Sequence, residues 1–446
     1  MIRRTRRFAI LVPLAVCLCL AATRLSWGQV HPAVPGFSSR PDAAYTMYLN
    51  FGGFSFNGNW GNSPGSTPGV TPAYTVDGNA NAFTASERAN IKDVWSRVAE
   101  KYSPFNINVT TVDPAVAAGQ AANDTMRQNF YDSQPRMMQT VIGGGGGWSG
   151  GGGVSYVGVT RNTQPGSNGY HTNWVFSAQA PSFLQFIGEA SAHEQGHGMG
   201  LWHQSDYNGN TLLAEYSSGT GSGPGTTAPI MGVSYYSERG VWKNGTAHIG
   251  SGPQIQNDAR LMATDPYLLG FIDDGIGHSL AAATPLPLTG IAINSATAKG
   301  VIVPENFLNP DPYGPNNYVS DYWSFVTGGG TVSLSLHSGR STITPGVADP
   351  GAMLDATLRI LDSLGAPVAT SSASTLLETV TISLAPGFYY AQVQSAGDPG
   401  NLGFYDMGSY FLSGTIAPVP EPATLALLAM AMTALVLVSR RRRAAK

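Results

Sequence analysis

Cysteine is nearly absent from this 446-residue chain, which has only Cys17 and Cys19. Both lie in an apolar N-terminal run, so the rest of the chain has no disulfide framework and no thiolate nucleophile. Charge is scarce too. Asp, Glu, Lys and Arg make up 11% of residues, against roughly 25% in an average soluble domain. A formal net charge of −3, with basic residues clustered only at the two ends, excludes a nucleic-acid partner. What the chain has in plenty is glycine, 55 residues of it, alongside 42% hydrophobic residues. That is enough apolar material for a core, in the composition of a β-rich exported protein. The length accommodates two or three domains.

Both ends read as targeting elements. Arg3, Arg4, Arg6 and Arg7 precede an apolar run from Phe8 to Ala22, the pattern of a secretion signal over residues 1–29 with cleavage between Ala22 and Val30. An uncleaved anchor is the alternative. At the other end, Pro418-Val419-Pro420-Glu421-Pro422 leads into an apolar stretch, Ala423 to Val438, and then Arg440 to Arg443. The stretch is short but long enough to be a transmembrane helix, with the arginines on the cytoplasmic side. This order resembles the PEP-CTERM sorting signal of Gram-negative bacteria. The resemblance implies exosortase-type sorting machinery as a partner, contact with the membrane through residues 418–446, and a cell-surface or extracellular location. A plain C-terminal anchor is the alternative.

Between these ends, residues 45–272 alternate strand and helix signals. Tyr45 to Phe51 places Met47, Leu49 and Phe51 on one strand face. Residues 52 to 82 read as loop. Thr84 and Glu87 form a capping box, followed by a helical stripe of Ile91, Val94, Trp95, Val98 and Tyr102 that stops at Ser103-Pro104. Strands are predicted at Phe105–Thr111, Met137–Ile142 and Val154–Val159. Gly143 to Gly153 is glycine broken by Trp148 and Ser149: either a flexible surface loop or a cleft border with Trp148 as its contact group. A helix is predicted from Ser182 to Met199 and another from Asp258 to Leu269, broken at Pro266. From 279 to 416 the pattern changes to short strands separated by Gly-, Pro- and Ser-rich turns, at Tyr322–Val326, Val332–Leu336, Thr357–Leu361, Val380–Leu384, Phe388–Val393 and Tyr410–Ile416. That is the pattern of a β-sandwich.

The chemistry concentrates in His193-Glu194-Gln195-Gly196-His197-Gly198-Met199-Gly200-Leu201-Trp202-His203, a complete H-E-x-x-H-x-x-G-x-x-H. Histidines four apart share a helical face. Glu194 beside them can reach a metal-bound water. Gly200 can take the left-handed conformation that ends a helix, and the chain can then return His203 as a third ligand. Three neutral imidazoles leave one zinc position open, the arrangement of a catalytic site. Downstream, Ala228-Pro229-Ile230-Met231-Gly232 has the form of a Met-turn.

Residues 45–272 therefore resemble a bacterial secreted metzincin of the reprolysin-like group. Trp95-Ser96-Arg97-Val98-Ala99-Glu100 and Ser103-Pro104-Phe105-Asn106 match that group's pattern as well. The region after 279 resembles the bacterial pre-peptidase C-terminal domain through Asp321-Tyr322-Trp323-Ser324-Phe325 and Pro386-Gly387-Phe388-Tyr389-Tyr390. The implied class is α+β: a metzincin-type zincin domain (twisted mixed sheet plus active-site helix) followed by a C-terminal all-β sandwich. The implied activity is zinc-dependent endopeptidase action on a protein or peptide. His193, His197 and His203 would be the ligands, Glu194 the general base and Met231 the residue beneath them. Some metzincins place a tyrosine two residues after the methionine. Here Tyr235 is four residues on, with Tyr236 beside it, so Tyr235 is a candidate oxyanion group that departs from the pattern. The departure leaves open which of the two approaches the metal. The chain also lacks a cysteine switch and a lead long enough for a folded propeptide.

Other residues leave two readings open. Glu189 could brace a ligand or face solvent, Asp206 could orient a histidine or face water, and His171 reads as a loop residue. Asp273 and Asp274 could bind Ca2+ or form an acidic linker. The rival to the enzyme is a non-catalytic, polymer-binding surface protein with a vestigial metzincin domain, and a third reading makes the substrate a glycan-linked peptide.

Overall fold

A computed structural model describes residues 31–161, 169–264, 269–305, 318–373, 375–397, 400 and 402–419. The expected signal segment and the apolar stretch after Val419 lie outside the described residues. Among those described, no helix is long and apolar enough to cross a membrane.

The first half comprises β1 (Tyr45–Asn50), β2 (Phe54–Phe56), β3 (Gly69–Thr71), α1 (Ala85–Lys101), β4 (Ile107–Thr110), α2 (Pro114–Ala117), α3 (Asp124–Ser133), β5 (Met137–Ile142), β6 (Gly153–Val154), β7 (Thr172–Val175) and α4 (Leu184–Gly198). One sheet runs β4-β1-β5-β7-β6. Its pairs are parallel except the edge pair β6–β7, which is antiparallel. Parallel strands are normally covered on both faces, and β1 is. Tyr45, Met47 and Leu49 pack with Ile91, Val94 and Val98 of α1 and with Ile187 of α4. Tyr48 faces the opposite side, against Tyr131 of α3. The predicted capping box is present: Thr84 Oγ1 accepts from Glu87 N–H at 3.2 Å, and Glu87 Oε2 accepts from Thr84 N–H at 2.8 Å.

Three expectations need correction. The loop at 52–82 contains the hairpin β2–β3. The strand expected over Val154–Val159 stops at Val154. Its continuation is captured by the end of α4, where Gly158 N–H donates to His197 O at 2.8 Å and Thr160 N–H to Gly198 O at 3.2 Å. Carbonyls in a helix's last turn lack intrahelical partners, and here a passing strand-like segment supplies them. The helix expected from Asp258 ends at Ala263, and Pro266 lies outside the described residues.

After α4 come β8 (Asp206–Asn208), β9 (Thr211–Ala214), β10 (Gly223–Pro229), β11 (Ser237–Val241), β12 (Asn244–Ile249), β13 (Gly252–Asn257) and α5 (Asp258–Ala263). The remainder is all β: β14 (Thr284–Pro285), β15 (Leu288–Thr289), β16 (Ala292–Ile293), β17 (Lys299–Ile302), β18 (Asp321–Thr327), β19 (Gly330–Ser338), β20 (Ala356–Leu361), β21 (Pro367–Ser371), β22 (Leu377–Leu384), β23 (Gly387–Ser395) and β24 (Gly408–Thr415). These make two sheets, β14-β18-β23-β20-β21 and β15-β16-β24-β19-β22 with β17 on β24. Trp323, Leu334, Leu358 and Leu412 pack between them. Every strand predicted in this half is found.

The two halves share a core. Met353, Phe404, Tyr405 and Met407 from the sandwich pack into the apolar cluster of the first half. Charges lock the same seam. Arg340 pairs with Asp349 at 2.7 Å and also with Asp93 of α1. Arg239 pairs with Asp406 at 2.6 Å, and Lys101 Nζ donates to Gly351 O at 3.0 Å.

Candidate metal centre

Helix α4 carries His193, Glu194 and His197 on one buried turn and a half. Met199 is its C-cap, and Gly200 follows at φ 96°, in the left-handed region predicted for it. The turn brings His203 back. The ligand atoms of His193, His197 and His203 all lie within 4.8 Å of one another.

Each ring is held by its Nδ1. His193 Nδ1 meets Ile230 O at 2.8 Å, His197 Nδ1 meets Leu201 O at 2.7 Å, and His203 Nδ1 meets Glu215 Oε1 at 2.7 Å. Carbonyl and carboxylate oxygens accept only, so each Nδ1 carries a proton and each Nε2 is the nitrogen turned toward the other rings. His197 Nε2 and His203 Nε2 lie 3.1 Å apart. Burial, then the neighbouring His203, lowers His193 to about 4; burial, then His193, also lowers His197. Both rings are thus neutral near pH 7. Three convergent imidazoles with oriented outer nitrogens are the donor chemistry of a zinc site, and these residues fit such an ion.

Glu194 is almost wholly buried and lines the same cavity of about 380 Å3, with Gly153, Val154, Trp202, Tyr216 and His248. Burial raises its carboxyl to about 8. Gly153 of the edge strand makes room for it: a Cβ there would lie 2.5 Å from Glu194 Oε1. Met231 is fully buried under α4, where a Cβ on Gly196 would meet its Sδ at 2.6 Å. A larger cavity, about 760 Å3, lies between the two halves of the molecule. It carries none of these residues, so the chemistry belongs to the smaller one.

The tyrosine against the ligands is Tyr216, not Tyr235. The Tyr216 ring centroid is 4.2 Å from that of His203 and 6.1 Å from that of His193. Tyr235 instead packs edge-on against Phe186 at 5.2 Å, and Tyr236 is exposed. Glu189 neither touches a ligand nor faces solvent. It pairs with the buried Lys101 at 2.9 Å and accepts from Ser234 Oγ at 2.6 Å, tying α4 to α1 and to the loop after Met231. Asp206 opens β8 opposite Ala214; the carboxylate on a ligand is Glu215. That residue also binds His248 Nδ1 at 2.6 Å through Oε2. His171 is buried and its N–H donates to Asp132. Trp148 is an anchor, packed between Trp60, Trp174 and Phe176, and the glycine segment borders the cleft through Gly153. Asp273 caps a local turn by accepting from Gly275 N–H at 2.9 Å.

Residues 418–443 match the PEP-CTERM protein-sorting motif. The motif indicates export in a Gram-negative bacterium, to the surface or the medium, with exosortase machinery as a partner. No curated protein matches the chain. Among solved structures, the pre-peptidase C-terminal domain of a collagenase from Bacillus anthracis is similar at 17% identity and TM-score 0.18, over 30% of this chain and 93% of that domain.

Proposed function

We propose that the chain is an exported zinc-dependent endopeptidase with a metzincin-type catalytic half. The observation that carries this reading is the convergence of three imidazole rings beside a buried carboxyl in an open cleft. Zinc bound by His193, His197 and His203 would supply a Lewis acid for the scissile carbonyl and lower the pKa of water. Glu194 takes the proton of the attacking water. Glu194 then passes that proton to the leaving amine. The edge strand β6 offers backbone groups along the cleft, where an extended peptide can add as a strand. Tyr216, whose ring lies against that of His203, is the residue for steadying charge on the carbonyl oxygen. The sandwich, sharing a core with the catalytic half, supports the cleft rather than serving as a detached spacer.

The test is digestion of an unfolded protein such as casein, and of a peptide library, with mapping of the new termini. Cleavage that a chelator stops and zinc restores supports the reading. A zinc-loaded chain that cuts no peptide bond in either substrate contradicts it and favours a binding role for the surface-exposed protein.

A further inference from the structure

Away from the cleft, the linker into the sandwich and the first long strand of the sandwich bring together Asp274, His278 and Asp321, whose ligand atoms lie within 4.8 Å of one another. Asp321 is fully buried. Its Oδ2 accepts from the Tyr410 hydroxyl at 2.7 Å, and that hydroxyl in turn accepts from Trp323 Nε1 at 2.9 Å. Its Oδ1, equally buried, accepts no hydrogen bond. His278 Nε2 lies 3.6 Å from Oδ1, beyond hydrogen-bond length. Asp274 is oriented by two backbone donors, Ile276 N–H at 3.0 Å and Val301 N–H at 2.6 Å. Each of its oxygens keeps a lone pair. Gly300 preserves the space: a Cβ there would meet the Tyr410 hydroxyl at 2.6 Å and Asp274 Oδ2 at 2.8 Å. Two oriented carboxylates face one another across a gap, and a buried oxygen with no donor costs stability unless a cation or proton meets it. The His278 side chain is 44% exposed, so the pocket has an entrance.

We infer that Asp274, His278 and Asp321 bind a second divalent ion of the zinc class, which staples the interdomain linker to strand β18. One imidazole with two carboxylates is a donor set for zinc and its transition-metal neighbours. Calcium takes six to eight oxygens and is not served by imidazole. The Asp273-Asp274 pair considered as a calcium site is therefore divided: Asp273 caps a turn, and Asp274 joins a histidine site.

The test uses the full exported chain, stripped of metal and titrated with Zn2+, with bound metal measured after removal of the free ion. The parent is expected to hold two equivalents. The His193→Ala/His197→Ala double variant is expected to hold one, and added Zn2+ should raise its melting temperature. Adding His278→Ala to that double variant should abolish both the bound metal and the thermal shift. Asp321→Asn provides a second substitution at the same site. A double variant that binds no zinc overturns the inference. So does zinc retained after His278→Ala, or zinc displaced by an equal concentration of Ca2+. Failure of the cleft reading looks different: parent and double variant would then hold one equivalent each, and His278→Ala alone would remove it.

Discussion

Glu215 holds His203 through one carboxylate oxygen and His248 through the other. A carboxylate on the outer nitrogen of a ligand histidine fixes its tautomer and orientation, and losing it typically weakens metal affinity about 10–100-fold. Glu215→Ala is therefore expected to weaken zinc binding by that factor, measured by competition with a chromogenic chelator. Glu215→Gln should lose less, and unchanged affinity in Glu215→Ala would contradict the role. The cluster of His193, Glu194, His197 and His203 was legible because its spacing is local: the helical period joins His193 to His197, and Gly200 permits the turn to His203. Glu215, Tyr216 and His248 were not, because they meet His203 only through tertiary pairing. His248 N–H donates to His203 O at 3.1 Å, a contact between segments with no shared periodicity. One signal was available. Glu215 is the only charged residue between Asp206 and Glu238, and an isolated charge in a polar, glycine-rich stretch invites a partner. The Tyr235 ring packs on Phe186, although its hydroxyl still feels the charge of Glu194.

At the scale of elements, α1 and α4 hold the site from beneath. Burial raises the Glu87 carboxyl, but hydrogen bonds from the Val76 and Thr84 backbone and from the Thr84 and Thr75 hydroxyls outweigh it and bring it to about 2. A carboxyl depressed from its ordinary 4.5 to about 2 stabilises the fold above pH 4.5. It loses that contribution as pH falls through the interval to about 2. Glu87→Gln should accordingly be less stable than the parent at pH 7, by about 1 kcal/mol for a lost cap. The difference should close between those two pH values, as followed by urea denaturation. A gap that stays constant with pH would show that the carboxylate charge is irrelevant to the cap. The Lys101–Glu189 pair makes a stronger demand. Both side chains are buried, and removing one partner of such a pair costs about 3–5 kcal/mol. Glu189→Ala should destabilise by that amount, more than any cap variant, in the same denaturation experiment. Helix α1 and its box were readable from the sequence, whereas the partner of Glu189 was not, since 87 intervening residues separate the two positions.

At the scale of the molecule, the change of pattern near residue 279 falls shortly before β14 but concealed how the halves join. Met353, Phe404, Tyr405 and Met407 are apolar residues on sandwich loops, and nothing in a strand-by-strand reading assigns them to the other core. Their burial there predicts that a chain ended at residue 278 fails to form a compact catalytic half. Strong binding of a hydrophobic dye and loss of near-ultraviolet circular dichroism are the expected outcome. A folded, zinc-binding truncation would show the seam to be dispensable. The PEP-CTERM motif at 418–443 sends this joined unit out of the cell. The account therefore centres on whether the cleft performs hydrolysis there. The most direct measurement compares the zinc-loaded parent with zinc-loaded Glu194→Gln in peptide cleavage at pH 7. The account predicts equal zinc content at the cleft and a fall in kcat of about 10²–10⁴-fold, the range for losing a general base. Cleavage by Glu194→Gln at the parental rate would contradict it.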